Sequence, residues 1–172
     1  MTRLREGDPD VAVRIRPIDP ADGAALRRFH DGLSERTVYL RFFAVHPHLT
    51  DAEVDHFTIV DHVAREALVA VNGDDIVAVG RFDRMDAERA EVAFVVTDAW
   101  QRQGLGRRLL DELVARAQAE HIRWFEAEVL VSNASMLGLF EHCAWPSTER
   151  QEDDVVFVTL DIGAGGSTDT DT

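Results

Sequence analysis

The stretch AWQRQGLGRRLL, Ala99 to Leu110, decides how the rest of the chain is read. Gly104 and Gly106 stand one residue apart, between the strand-like run EVAFVVTD (91–98) and a helix-like run opening at Leu105. In that position backbone N–H groups and the positive end of a helix dipole converge on an anion. The glycines permit positive φ and close approach of backbone to a ligand. Arg102, Arg107 and Arg108 add charge suited to phosphate. The same residues also suit a glycine-rich turn with a solvated arginine face, and two glycines alone do not separate the readings.

Neighbouring residues narrow the choice. A Walker loop needs Gly-Lys-Ser/Thr, and all 18 basic residues of this chain are arginine. A dinucleotide fingerprint needs a third Gly or Ala three residues after the second; Leu109 stands there. Glu126 lies about 20 residues beyond, where a ribose-binding acid is sought, but in the middle of a strand-like run. What remains is Gln101-x-x-Gly104-x-Gly106.

Outward from the loop the hydrophobic period alternates between strand and helix. VAVRIRPI (11–18) reads as a half-buried strand. A helix follows, with Asp19 as N-cap and Pro20 at its first position. SERTVYLRFF reads as a second helix opened by Ser34, and TDAEVDHFTIVD as a third, with a capping box of Thr50 and Glu53. EALVAV and IVAVGRFD are strands around an Asn72-Gly73 hairpin signal, and AEVAFVVTD is the next. Beyond the loop come an amphipathic helix (105–120), the strand RWFEAEVLV, a short helix capped by Ser132 or Asn133, and the final strand DVVFVTLD. The order predicts an α/β fold around a mixed sheet.

The chain has 172 residues and a 45% hydrophobic fraction, which suits one domain with a full core. The segments 1–10 and 163–172 read as a flexible N-terminus and a disordered tail around a domain at 11–162. No apolar run approaches the roughly 18 residues of a membrane span, and MTRLREGDPD has no signal-peptide core. One cysteine, Cys143, excludes an internal disulfide and suits a cytoplasmic protein. A net charge of −14 argues against nucleic acid or an anionic membrane as partner and favours a cationic one.

The loop Gln101-x-x-Gly104-x-Gly106, the strand before it and the Asn-Ala-Ser-Met run from Asn133 resemble the GNAT superfamily of N-acetyltransferases. The resemblance covers roughly Val13 to Asp161. LSERTVYLRFF resembles a narrower, Pat-like branch that includes bacterial protein-lysine acetyltransferases, some fused to a cyclic-nucleotide-binding domain. At this length no such extra domain is expected. The resemblance implies a single-domain GNAT fold: a mixed, mostly antiparallel central sheet flanked by helices, its strands splayed at an acetyl-CoA site.

It also implies roles for particular residues. Backbone amides around Gln103 to Arg107, with Gly104, Leu105 and Gly106 between them, would hold the pyrophosphate of acetyl-CoA, and Gln101, Arg102 and Phe140 would also belong to the cofactor site. The main chain of Phe94, Val95 and Val96 would pair with pantetheine, and Asn133 would meet the same arm; Asn133 also suits a helix N-cap. An amine acceptor must lose a proton, since a lysine ammonium has a pKa near ~10.4. Glu91, opening the strand before the loop, is the candidate general base, and the strand N–H near Val95 or Val96 the candidate oxyanion donor. Many family members carry a tyrosine seven positions after the Asn; here it is Phe140, which has no proton to give. Tyr39, the one tyrosine, is a candidate acid or border of the acceptor site.

Cys143 next to His142 reads as a small buried hydrophobe rather than a nucleophile, since helix neighbours do not face each other. The histidine pairs 46/48 and 56/62 lack ligand spacing, so no metal is expected. The leading expectation is direct acetyl transfer from acetyl-CoA to an amine in a ternary complex, with CoA as product. The amine belongs to a protein lysine or to a small molecule such as a polyamine, aminoglycoside or amino acid. A non-catalytic acyl-CoA-binding regulatory module is the rival from another class, and monomer or homodimer stays open.

Overall fold

The computed structural model describes residues 12–163. The expected flexible N-terminus and all of the expected tail except Gly163 lie outside that range. Gly163 itself donates its N–H to the Arg123 carbonyl at 3.2 Å.

The described residues form seven strands and five helices, of which all but β6 follow the predicted alternation: β1 (Arg14–Pro17), α1 (Gly23–Asp31), α2 (Glu35–Phe42), α3 (Asp51–Thr58), β2 (Arg65–Asn72), β3 (Asp75–Arg84), β4 (Arg89–Val96), α4 (Leu105–Ala119), β5 (Trp124–Leu130), α5 (Ala134–Glu141), β6 (Ser147–Glu152) and β7 (Val155–Asp161). Helix boundaries follow the local chemistry. Ser34 Oγ accepts from the Thr37 N–H at 3.1 Å to open α2. The Thr50–Glu53 capping box opens α3, and Asn133, not Ser132, caps α5 by accepting from the Met136 N–H at 3.2 Å. Asp19 and Pro20 start a 3-10 turn (Pro20–Asp22) before α1 rather than the α-helix expected there. The hairpin turn is Gly73-Asp74, one residue later than predicted, with Gly73 at φ +62° and Asn72 paired to Asp75.

The sheet order is β1-β2-β3-β4-β5-β7-β6. Every neighbouring pair is antiparallel except β4–β5, which the α4 crossover joins in parallel. One strand, β6 (STERQE), went unpredicted. All six of its residues are exposed and none is apolar, so no period-two signal exists; pairing with β7 alone makes it a strand. Its charges suit a sheet edge.

Helices cover both faces, which explains the continuous burial of β2 and β3. Leu68 and Ala70 pack toward α4, with Leu109, Leu110 and Leu113 fully buried. The alternate residues Ala67, Val69 and Val71 pack with Leu26 and Phe29 of α1 and Val54 of α3.

The parallel pair is short. Its register comprises Arg89↔Trp124, Ala90↔Phe125 and Glu91↔Glu126. β4 continues to Val96 and β5 to Leu130, but no longer with each other. The mixed sheet is therefore splayed where the resemblance implied. Gly80 of β3 lies opposite Phe94 in the β3–β4 ladder. A Cβ there would meet the Phe94 ring at 2.9 Å and Leu113 Cδ1 at 3.1 Å. Gly80→Ala is expected to lower the free energy of unfolding by about 1–3 kcal/mol through overpacking, read from urea denaturation. An unchanged midpoint would show that Phe94 is not held in place.

Candidate active site

The loop after β4 begins with a 3-10 turn (Asp98–Trp100) anchored by buried Trp100. Arg102 at φ +62° and Gly104 at φ +81° then turn the chain into α4. Gly106 differs from expectation: its φ is not positive, because it already lies in the first turn of α4. A Cβ at Gly106 would sit 3.5 Å from Leu139, an ordinary contact, so packing within the protein does not require glycine there. Helical hydrogen bonding begins with Arg108 N–H donating to the Gly104 carbonyl at 3.1 Å. None of the backbone N–H groups from Arg102 through Arg107 donates to an acceptor among the described residues. That leaves successive donors at the positive end of a fifteen-residue helix.

Both glutamines of the loop use their side chains to hold it. Gln101 Nε2 donates to the Val96 carbonyl at 3.0 Å and reaches Asp98 and Thr37. Gln103 Nε2 donates to the Ala99 carbonyl at 3.2 Å. Asp98, which sequence reasoning missed, ties this loop to α2. It accepts from the Ser34 N–H at 2.9 Å and from the Thr37 hydroxyl. Burial pushes the Asp98 carboxyl up, but these hydrogen bonds prevail and hold it below its ordinary value. The signal was spread over residues more than sixty positions apart, so no local pattern could carry it.

A cleft of about 500 Å³ opens between the start of α2, the end of β4, the loop and the start of α5. Phe94, Val95, Val96, Gln101, Arg102, Gly104, Gly106, Arg107 and Asn133 all line it, so the structure brings most of the candidate residues together. Gln103 and Leu105 do not line it; the Leu105 side chain is buried in the core. Arg107 Nη1 also donates to the His142 carbonyl at 3.2 Å.

A cavity of about 220 Å³ adjoins the cleft in the fork between β4 and β5. Asn133 and Arg41 line both spaces. Phe140 lines the fork, is 1% exposed, and packs edge-on to Phe94 with ring centroids 6.2 Å apart. On the other side of the fork, a groove of about 370 Å³ carries Glu91, Glu126, Glu128 and Glu149. Glu91 lines both the fork and this acidic groove. Burial first and the Glu128 charge second push its carboxyl above the ordinary value, against the pull of Arg41. Tyr39 is 46% exposed and lines none of these spaces. Cys143 sits half-buried, its thiol donating to the Phe140 carbonyl at 3.1 Å.

A sequence profile described as the acetyltransferase (GNAT) family matches residues 36–145. The GNAT domain of PAT from S. lividans is 37% identical, with a TM-score of 0.82 over 87% of this chain and 90% of that one. Acetyltransferase Pat of Mycolicibacterium smegmatis is 29% identical over 154 residues, 86% of this chain. The chain spans 45% of the length of that relative. A putative acetyltransferase from Salmonella typhimurium, solved with its cofactor acetyl-CoA, shares the fold at 19% identity and a TM-score of 0.73, covering 93% of this chain and 99% of that one.

The Asp98 tie yields a test. Its carboxylate form is the favoured one, so the tie holds above the ordinary carboxylate pKa and is lost as pH falls through the depressed value. Asp98→Ala is expected to speed amide exchange at Ser34 and Thr37 by about tenfold, from the loss of roughly 1–2 kcal/mol of hydrogen bonding. Exchange at wild-type rates would mean that α2 is held by its apolar contacts alone.

Proposed function

Because the chain belongs to the GNAT acetyltransferase family, we propose that it transfers an acetyl group from acetyl-CoA to an amine, foremost a protein lysine side chain, by direct attack in a ternary complex. The observation that carries the reading is Glu91, which faces the fork from one side and the acidic groove from the other.

The cleft suits the cofactor chemically. The unpaired N–H groups of residues 102–107 offer donors to a pyrophosphate, with Arg102 and Arg107 beside them. The approach surface at Gly106 is one that a Cβ would fill. Beyond Glu91, the β4 edge facing the fork has no strand partner among the described residues, which suits pairing of the Phe94, Val95 and Val96 main chain with the amides of pantetheine. Asn133 caps α5 and still lines the cleft, so both of its expected roles are compatible.

The carboxylates of the groove attract and hold a cationic amine. Glu91 takes its proton, and the raised carboxyl pKa makes it a better base than an ordinary glutamate. A β4 N–H near Val95 or Val96 stabilises the oxyanion of the addition step. Phe140 gives no proton, so the CoA sulfur leaves as the thiolate, as a thiol of pKa near ~8.5 permits.

Phe140 also favours the second reading, a non-catalytic acyl-CoA-binding module. Release of free thiol from acetyl-CoA in the presence of an amine decides between the two. Glu91→Gln is expected to lower kcat/KM by about 10²–10⁴-fold and to remove the acid limb of the pH–rate profile, where activity rises as the carboxyl ionises. Its affinity for CoA should stay at the wild-type value. Unchanged turnover across pH would take Glu91 out of the base role. Gly106→Ala separates binding from stability. Alanine is the better helix former by about 1 kcal/mol, so the unfolding midpoint should hold or rise while acetyl-CoA affinity falls. Undiminished affinity would place the pyrophosphate elsewhere.

A further inference from the structure

Arg81 of β3 is a cation inside the protein. It is 8% exposed, and its guanidinium makes no hydrogen bond or ion pair among the described residues. Its aromatic neighbour is the Phe57 ring, 4.4 Å from the guanidinium carbon. Carboxylates near it do not pair with it. Asp83, two residues on, is bound to Arg65 at 3.2 Å. Glu91, across the ladder from Asp83, makes no ion pair either. A second guanidinium, Arg41 of α2, is half-buried, lies 4.9 Å over Phe42 and is likewise without an ion pair among the described residues.

The two arginines share a small cavity of about 30 Å³ with Ala93 and Val95 of β4. Burial first and the Arg41 charge second lower the Arg81 pKa to about 9, so it remains charged at neutral pH. Asp83 and Glu91 act on these arginines only through their charge and form no ion pair with them, so two like charges brought together at partial burial keep donors free for an anionic ligand. A guanidinium presents a planar fork of donors that matches a carboxylate or phosphate.

The position selects between those anions. The phosphate donors stand at the far end of the cleft, around residues 102–107. Arg81 faces Ala93 across the ladder, just before the segment expected to carry pantetheine. Arg41 and Ala93 line both the small cavity and the fork. A group extending past the thioester over the small Ala93 side chain would reach both guanidiniums. Room of about 30 Å³ holds the end of a chain but not a second substrate.

We propose that Arg81 and Arg41 form a carboxylate site at the reacting end of the cleft, so that the enzyme accepts an acyl-CoA whose chain ends in a carboxylate. The inference rests on the acyl-transfer reading above. In the reaction Glu91 takes one proton from the ammonium, the freed amine nitrogen bonds to the thioester carbonyl carbon, the C–S bond breaks, CoA leaves as thiolate, and the second nitrogen proton passes to solvent. The distal carboxylate is unchanged and stays on the arginines.

The test compares succinyl-CoA with butyryl-CoA, four-carbon acyl groups with and without the terminal carboxylate. Wild-type protein is expected to bind succinyl-CoA about tenfold more tightly by calorimetry, as a charge-assisted bond requires. Arg81→Met should erase that preference, with its urea midpoint measured alongside to confirm folding. Equal or tighter binding of butyryl-CoA by the wild type overturns the proposal without recourse to any variant. A third arm uses acetyl-CoA with β-alanine or propylamine as acceptor. An Arg81-dependent preference for β-alanine, with no preference between the acyl groups, assigns the carboxylate to the acceptor and overturns the acyl-chain assignment. Absence of thiol release from every donor would defeat the acyl-transfer reading, whereas the binding comparison would still judge the carboxylate site.

Discussion

The parting of β4 from β5 after the Glu91↔Glu126 pair is the constraint on which the rest of the molecule depends. Paired strands satisfy one another's N–H and C=O groups, so a strand that continues without its neighbour leaves a row of polar groups to be satisfied otherwise. Here the row ends in a loop whose amides from residue 102 to 107 also lack acceptors among the described residues. Apolar packing helps hold the fork open. Phe140 from α5 and Phe94 from β4 meet edge-on beside it, and Gly80 leaves the room that the Phe94 ring occupies. The buried phenylalanine at position 140 thus contributes shape where a tyrosine would contribute a proton.

Charge is arranged along this opening rather than spread evenly. Backbone donors and Arg102 stand at the loop end, and four glutamates line the groove beyond the base of the fork. The cations closest to the fork are arginines, as every basic residue in the chain is. This bears on the chemistry. A lysine at position 41 or 81, partly desolvated beside a thioester, would have a lowered pKa and compete as a nucleophile. A guanidinium keeps its charge at neutral pH, even at the depressed value of Arg81, and supplies a field without joining the reaction.

What the sequence disclosed divides by the range of the interactions involved. The N-caps at Ser34 and Thr50 and the strand–loop–helix unit around Gly104 are set by residues within a few positions, and each was legible. The polar strand β6 was invisible because its identity comes wholly from β7. Gly106 was read as free to adopt a positive φ, a freedom that goes unused because the start of α4 places it in helical backbone. Asp98 and Arg81 escaped for a related reason. One looks like loop decoration and the other like an interruption in IVAVGRF, and only the docking of α2 and α3 against the sheet gives them neighbours. Glu126, set aside as a ribose ligand, lies in the acidic groove beside Glu91.

Glu91 shows why position alone does not make a base. Removal from water and the nearby Glu128 charge both disfavour its ionised form, while Arg41 favours it. Without the acidic neighbour and burial, the carboxylate would be an ordinary one and a weaker base in the role proposed for it. Without the arginine, the same surroundings would push it further toward the protonated form, which cannot accept one. The balance is struck by residues from three separate elements, β4, β5 and α2. It therefore exists only once α2 is fastened down, and the Asp98 bonds that fasten α2 at Ser34 and Thr37 belong to the same loop whose amides are proposed to hold the pyrophosphate. Tethering and tuning are in this way consequences of one docking event.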